Sequence, residues 1–136
     1  MEIRLHASAD EISPSDWAGL DNGGDPFASR AFLGTAERVG ASGTAMAWEA
    51  RHIALREQGQ LLGLLPLYLR THSFGDFSRD WNWPGAWRQA GIPYYPKLVS
   101  GIPYTPSPGP RLLLRQGADR RVMAPTLVEA AKATVN

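Results

Sequence analysis

Prolines and aromatic residues are concentrated in one segment of the chain, between Phe74 and Pro110. This segment contains seven of the eleven prolines and eight of the thirteen aromatic residues. Proline fixes φ and withholds an N–H donor, so a simple amphipathic element is not expected there. Aromatic side chains bring large buried areas and, in Trp and Tyr, a polar group. The segment is therefore predicted to be a shaped, rigid surface that the rest of the chain supports.

The length and composition indicate one folded, cytoplasmic domain. The chain has 136 residues, of which 43% are hydrophobic and 20% charged, as in ordinary globular domains. A net charge of +1 gives no electrostatic reason to expect nucleic acid or an anionic membrane as partner. The absence of cysteine excludes disulfides and thiolate metal ligands. No secretory signal opens the chain, and its longest apolar run, Leu61–Leu69, is far below the roughly 20 residues of a membrane span.

Hydrophobic periodicity predicts an α/β (α+β) fold in which helices flank a mixed, mostly antiparallel sheet. Predicted strands cover residues 2–7, 52–57, 60–69 and 97–104. Predicted helices begin at Ser13, at Asp25 or Ser29, near Asp80 and near Asp119, with Pro125 either in the first turn of the last helix or kinking it. Gln58-Gly59 predicts a hairpin turn, and Pro66 predicts a local defect in the strand that contains it.

Two long runs of the aromatic segment carry a family resemblance. They are HSFGDFSRDWNWPGAW, from His72 to Trp87, and GIPYYPKLVSGIPYTPSPGPRLL, from Gly91 to Leu113. The chain resembles the bacterial FemAB-like family of predicted N-acyltransferases, which belongs to the GNAT-like superfamily and is often described as involved in peptidoglycan biosynthesis or recognition. Family members are far longer, so the resemblance implies that residues 1–136 are a single, incomplete N-terminal GNAT-like domain.

The resemblance also implies a reaction. An acyl or aminoacyl group would pass from acyl-CoA or an aminoacyl-tRNA to the amine of a small molecule or peptidoglycan precursor, without a metal. Proton removal from the amine favours a group that titrates near neutral pH, so His72 is the predicted base and Asp80 the second predicted catalytic residue. His72 is equally well explained as a strand-end histidine bonded to its neighbours, and Asp80 as a helix cap. His6 and His52 are predicted to be surface residues, and three scattered histidines predict no metal site.

The remaining predicted site residues would bind substrate. They are Trp81, Trp83, Tyr94, Tyr95, Lys97, Thr105 and Arg111. Lys97 is also explained as a solvated lysine, and Arg111 as a partner in an ion pair. In the superfamily a loop after a central strand holds the CoA pyrophosphate, but the corresponding loop, 105–115, is poor in N–H donors because of its prolines.

A second class of function fits the same residues. An aromatic platform could bind a glycan or peptide without catalysis, using Trp81, Trp83, Trp87, Tyr94, Tyr95 and Tyr104. A sheet that lacks its next strand would also leave an unpaired edge, which predicts self-association.

Overall fold

Two antiparallel sheets organise the part of the chain that the computed structural model describes, residues 1–76 and 82–135. The strands are β1 Glu2–His6, β2 Leu20–Asp21, β3 Glu49–Ala50, β4 His52–Glu57, β5 Gln60–Leu65, β6 Tyr68–Arg70, β7 Lys97–Val99 and β8 Leu113–Arg115. The α-helices are α1 Pro14–Ala18, α2 Arg30–Arg38, α3 Asn82–Gln89 and α4 Arg120–Ala133, and short 3-10 helices cover Ala9–Glu11, Pro26–Ala28 and Thr44–Met46. The predicted α+β class with antiparallel strands is confirmed.

The larger sheet has the strand order β1-β4-β5-β8-β2, and the β4–β5 hairpin forms its centre. Gln58 and Gly59 both have positive φ, 49° and 79°, as a type I′ hairpin turn requires. Ile53, Ala54 and Leu55 are consecutive and fully buried. Since alternate side chains point to opposite faces, both faces of this sheet must be covered.

Two hydrophobic clusters cover the two faces. On one face Ala54 and Leu64 pack with Trp17 and Leu33, which come from α1 and α2. On the other face Ile53, Leu55 and Leu65 pack with Met123 and Leu127 of α4. The helices predicted to flank the sheet therefore lie on its opposite sides.

Pro66 divides the strand that was predicted over 60–69. β5 ends at Leu65 in the larger sheet, and β6 begins at Tyr68 in the smaller sheet, whose order is β3-β6-β7. Proline has no N–H for a sheet hydrogen bond, so the ladder ends there. The next N–H, of Leu67, donates instead to Nδ1 of His52 at 3.1 Å. The predicted defect is confirmed, and its consequence is a change of sheet.

Three predicted helix starts are confirmed, and at each of them a short polar side chain caps the first turn. Ser13, Ser29 and Asp119 each accept a hydrogen bond from a backbone N–H of the helix that follows. Asp25 caps the preceding 3-10 helix instead. Pro125 lies in the second turn of α4, so the first-turn alternative is wrong.

The side chain of Glu37 on α2 joins four parts of the chain. Its Oε2 accepts hydrogen bonds from the backbone N–H of Ala9 at 2.7 Å and from Ser8 Oγ at 3.0 Å. Its Oε1 lies 2.6 Å from His52 Nε2 on β4 and accepts a hydrogen bond from the Tyr68 hydroxyl of β6 at 3.3 Å. The carboxylate therefore links both sheets to α2 with all four of its acceptor positions in use.

His52 is fully buried, so the prediction that it is a surface residue is wrong. It lies on β4, both of whose faces are covered. Its Nδ1 accepts the Leu67 N–H, which leaves the ring proton on Nε2 to be donated to Glu37. Burial raises the pKa of Glu37, but hydrogen bonds from His52, Ala9 and Ser8 outweigh it and lower that pKa below its ordinary value of 4.5. Burial and the adjacent Glu37 carboxylate raise the pKa of Tyr68.

Replacing Gly63 tests the packing between β8 and α4. A Cβ at this position would lie 3.0 Å from Leu114 Cδ2 and 3.1 Å from Leu127 Cδ1. We expect Gly63→Val to lower the free energy of unfolding by about 1–3 kcal/mol through overpacking, measured by urea denaturation. Gly85→Val on α3 is the matched control, because no atom lies within 4 Å of its added Cβ. Equal losses in both variants would contradict this packing.

Replacing Glu37 with Gln tests the buried network. Each carboxylate oxygen accepts two hydrogen bonds and the amide nitrogen accepts none, so two donors lose their acceptor, and we expect a loss of about 2 kcal/mol at pH 7. Because the folded pKa is lowered, the contribution of Glu37 is complete above pH 4.5 and is lost as the pH falls through the folded pKa. The variant should therefore lose stability less steeply in acid.

Urea denaturation from pH 7 to pH 2 provides the measurement. Glu129→Gln is the control, since Glu129 is exposed and pairs with Lys132 on the same helix. If Glu37→Gln and the parent chain show the same acid dependence, folding does not lower the pKa of Glu37.

Candidate functional site

Two adjoining cavities lie beside α3, and together we call them the α3 cleft. The first, of about 360 Å³, is lined by Thr71, His72, Ser73, Phe74, Pro84, Gly85, Arg88 and Tyr95. The second, of about 450 Å³, is lined by Pro84, Arg88, Gly91, Ile92, Pro93, Tyr94 and Tyr95. Pro84, Arg88 and Tyr95 line both cavities, so the two cavities share a wall.

Arg70 at the end of β6 positions the loop that leads into the α3 cleft. Its guanidinium is completely buried and lies 3.9 Å above the Trp48 ring. Nε and Nη2 donate to the His72 carbonyl oxygen at 3.1 and 2.7 Å, and Nη2 also donates to Asp76 Oδ1 at 2.9 Å. The sequence analysis missed Arg70, although it follows the buried Tyr68 by two residues and so shares its side of the strand.

His72 lies at the wall of the α3 cleft with its tautomer set by the backbone. Its Nδ1 accepts the backbone N–H of Phe74 at 3.1 Å, and its ring packs against the Phe74 ring with centroids 5.0 Å apart. Because that bond uses the Nδ1 lone pair, the neutral ring carries its proton on Nε2. In this arrangement His72 offers the cleft a hydrogen-bond donor.

Tyr94, Tyr95 and Lys97 are adjacent in space as well as in sequence. The two tyrosine rings make an edge-to-face contact at 4.9 Å. Lys97 Nζ donates to the Tyr94 hydroxyl at 2.9 Å and lies 4.5 Å from the centroid of that ring. The Tyr95 hydroxyl lies 2.6 Å from Ser73 Oγ, which joins this cluster to the loop of His72. The structure therefore brings together four of the predicted site residues.

Exposed aromatic side chains from α3 and the loop before it surround the α3 cleft. Trp83 and Trp87 are one helical turn apart, and 61% and 41% of their surfaces are exposed. Phe74 is 62% exposed, and Trp87 contacts Tyr94 with centroids 5.8 Å apart. Arg88 is the exposed cation of the cleft. Sequence analysis missed it because an arginine on a surface helix has no distinguishing pattern.

Thr105 and Arg111 line neither cavity of the α3 cleft. Thr105 Oγ1 donates to the Pro103 carbonyl oxygen at 3.0 Å, and Arg111 Nη2 donates to the Ser107 carbonyl oxygen at 2.6 Å. Both bonds are internal to the proline-rich segment, so these side chains hold its shape. Asp80 and Trp81 lie outside the residues that the structure describes.

Within residues 1–76 and 82–135, no group of three or more His, Asp or Glu side chains is arranged to hold a metal ion. In the same ranges, no helix has the length and apolar character needed to cross a membrane.

Comparison with known proteins gives one match. The family model named FemAB-like, described as peptidoglycan biosynthesis/recognition, matches residues 8–136. No curated protein and no solved structure matches the chain. The match covers nearly the whole length, including both runs that carry the resemblance and all of the α3 cleft. The chain therefore belongs to the FemAB-like family of peptidoglycan biosynthesis and recognition.

Proposed function

We propose that the chain supplies the acceptor-binding part of an N-acyltransferase that acts on a peptidoglycan precursor. Membership in a peptidoglycan family supports the acceptor class. The α3 cleft supports the reaction, because it combines an imidazole, a phenol and a guanidinium within one elongated concave site. The observation that carries the proposal is His72 on the wall of this cleft, held in a single tautomer by the Phe74 N–H.

Amide formation requires attack of the acceptor amine on an acyl carbonyl carbon. The new C–N bond forms through a tetrahedral intermediate, the C–S bond of a thioester donor or the C–O bond of an aminoacyl ester breaks, and the amine loses a proton. A donor aimed at the carbonyl oxygen stabilises the negative charge that develops there. With its proton on Nε2, His72 is suited to this role.

The proposed roles of the neighbouring residues follow from their contacts. Tyr95 and Ser73, bonded to each other at 2.6 Å, form the polar wall beside His72. Lys97 is held against Tyr94 and extends the positive charge of the site. Asp80 is proposed on sequence grounds alone as the acceptor of the amine proton.

Two substitutions of His72 distinguish a donor from a base. We expect His72→Ala to lower the transfer rate by about 100-fold, and His72→Gln, which retains an N–H donor, to lower it less. A general base would be lost equally in both variants. The assay is mass-spectrometric detection of the amide after incubation with a muropeptide precursor and either acyl-CoA or aminoacyl-tRNA.

A second histidine provides a matched control for the transfer assay. The control is His6→Gln. His6 pairs with Glu11 near the N-terminus and lines neither cavity of the α3 cleft. This substitution should leave the rate unchanged. Unaltered transfer in His72→Ala would contradict the proposed site.

The exposed aromatic side chains favour a second function, binding without catalysis. Trp83 and Trp87 present large apolar faces to solvent on one side of a short helix, and Tyr94 continues the row through its contact with Trp87. Sugar rings and peptide backbones pack on such faces. Tyr104, which was predicted to join the platform, instead packs against the buried Trp48.

Removing the exposed indoles tests this binding function. We expect Trp83→Ala and Trp87→Ala each to weaken muropeptide binding by about tenfold, because each loses one stacking face. Isothermal titration calorimetry of the chain with a defined muropeptide gives the dissociation constant. Val39→Ala, at a residue that is 70% exposed on the C-terminal end of α2, is the control. If Trp83→Ala, Trp87→Ala and Val39→Ala all bind the muropeptide as tightly as the parent chain does, the platform is not used.

A further inference from the structure

Three buried donors around Trp48 have no hydrogen-bond partner among the residues that the structure describes. They are the indole Nε1 of Trp48, Nη1 of Arg70 and the hydroxyl of Tyr104. Buried polar groups are almost always satisfied, and each unsatisfied one costs about 1–3 kcal/mol. Three of them in one cluster therefore indicate a missing acceptor. We call these three residues the Trp48 cluster.

The three side chains are in direct contact. The Arg70 guanidinium carbon lies 3.9 Å from the centroid of the Trp48 ring, and the Tyr104 ring packs against the same indole at 5.6 Å. Trp48 is 4% exposed and Arg70 is fully buried. Nε and Nη2 of the Arg70 guanidinium donate to the His72 carbonyl oxygen and to Asp76. Nη1 has no hydrogen-bond partner among the described residues.

Tyr104 is held in an uncommon backbone conformation. Its φ is +58°, in the left-handed region that large side chains rarely adopt. Such strain persists where surrounding structure enforces it, and it is concentrated at functional sites. Tyr104 also belongs to the Pro-Tyr-Thr-Pro run that carries part of the family resemblance but lines neither cavity of the α3 cleft. This run therefore has no role in the function proposed above.

We propose that the Trp48 cluster is a binding site for one compact anion, either a carboxylate of a ligand or a free inorganic anion. The indole and the guanidinium can only donate, and one of them is cationic. A water molecule would accept from at most two donors and would bring two hydrogens that need acceptors of their own. A carboxylate or a halide only accepts hydrogen bonds and can take them from more than one donor at once. This inference is independent of the proposed transfer reaction.

The indole N–H of Trp48 reports on the site directly. The ¹⁵N-labelled chain is titrated with sodium acetate, sodium chloride or neutral acetamide, and the indole resonances are followed by NMR, with Trp48 assigned through Trp48→Phe. We expect a saturable shift of the Trp48 signal with acetate. The Trp17 indole, which donates to the Ala28 carbonyl oxygen at 3.3 Å, should remain unchanged and serves as internal reference.

Tyr104→Phe tests the third donor without removing any hydrogen bond made by that hydroxyl. The half-saturating acetate concentration should rise by about tenfold, the loss expected for one hydrogen bond to a charged group. Tyr68→Phe is the control, because the Tyr68 hydroxyl bonds Glu37 instead.

The outcomes separate the alternatives. Saturation by acetate alone identifies a ligand carboxylate, and equal saturation by chloride identifies a site for any compact anion; both support the proposal. The proposal is overturned if acetamide shifts Trp48 as acetate does, if neither anion saturates, or if Tyr68→Phe weakens binding as much as Tyr104→Phe.

Discussion

The arrangement of this protein depends on a half-buried carboxylate on a helix between two sheets. Glu37 accepts hydrogen bonds from the loop after β1, from His52 in the larger sheet and from Tyr68 in the smaller one. A charge in this position is tolerated because four donors replace its hydration, and their combined effect lowers its pKa despite burial. Although a Glu, a His and a Tyr in contact resemble catalytic machinery, the carboxylate has no acceptor position left for a substrate.

Arg70 positions the loop of the α3 cleft, as Glu37 links the two sheets to α2. It is buried on β6, just after the change of sheet at Pro66, and its hydrogen bonds shape the loop that carries His72. The same guanidinium lies over Trp48, with one nitrogen left for the proposed anion. The α3 cleft and the Trp48 cluster thus share one positioning residue, and a change at Arg70 would be expected to alter both. Tyr104 is the better probe of the anion site, because it lines neither cavity of the α3 cleft.

Membership in the FemAB-like family connects these features with peptidoglycan biosynthesis and recognition. Recognition requires a shaped surface, and exposed indoles next to a cleft with an arginine provide one. In the proline-rich segment, Thr105 and Arg111 donate hydrogen bonds to carbonyl oxygens of the same segment. Transfer and binding are therefore two proposals for one surface, and they differ in whether His72 or the indoles are essential.

Local patterns in the sequence determined much of this protein. The antiparallel α+β class, the capped starts of α1, α2 and α4, the β4–β5 hairpin and the defect at Pro66 follow from periodicity, capping and proline chemistry, which act over a few residues. The family followed from two long runs of residues. The tertiary structure alone decided that His52 is buried beside Glu37 and that the Arg70 guanidinium lies over Trp48. These outcomes depend on contacts between residues far apart in the chain, which no local pattern encodes.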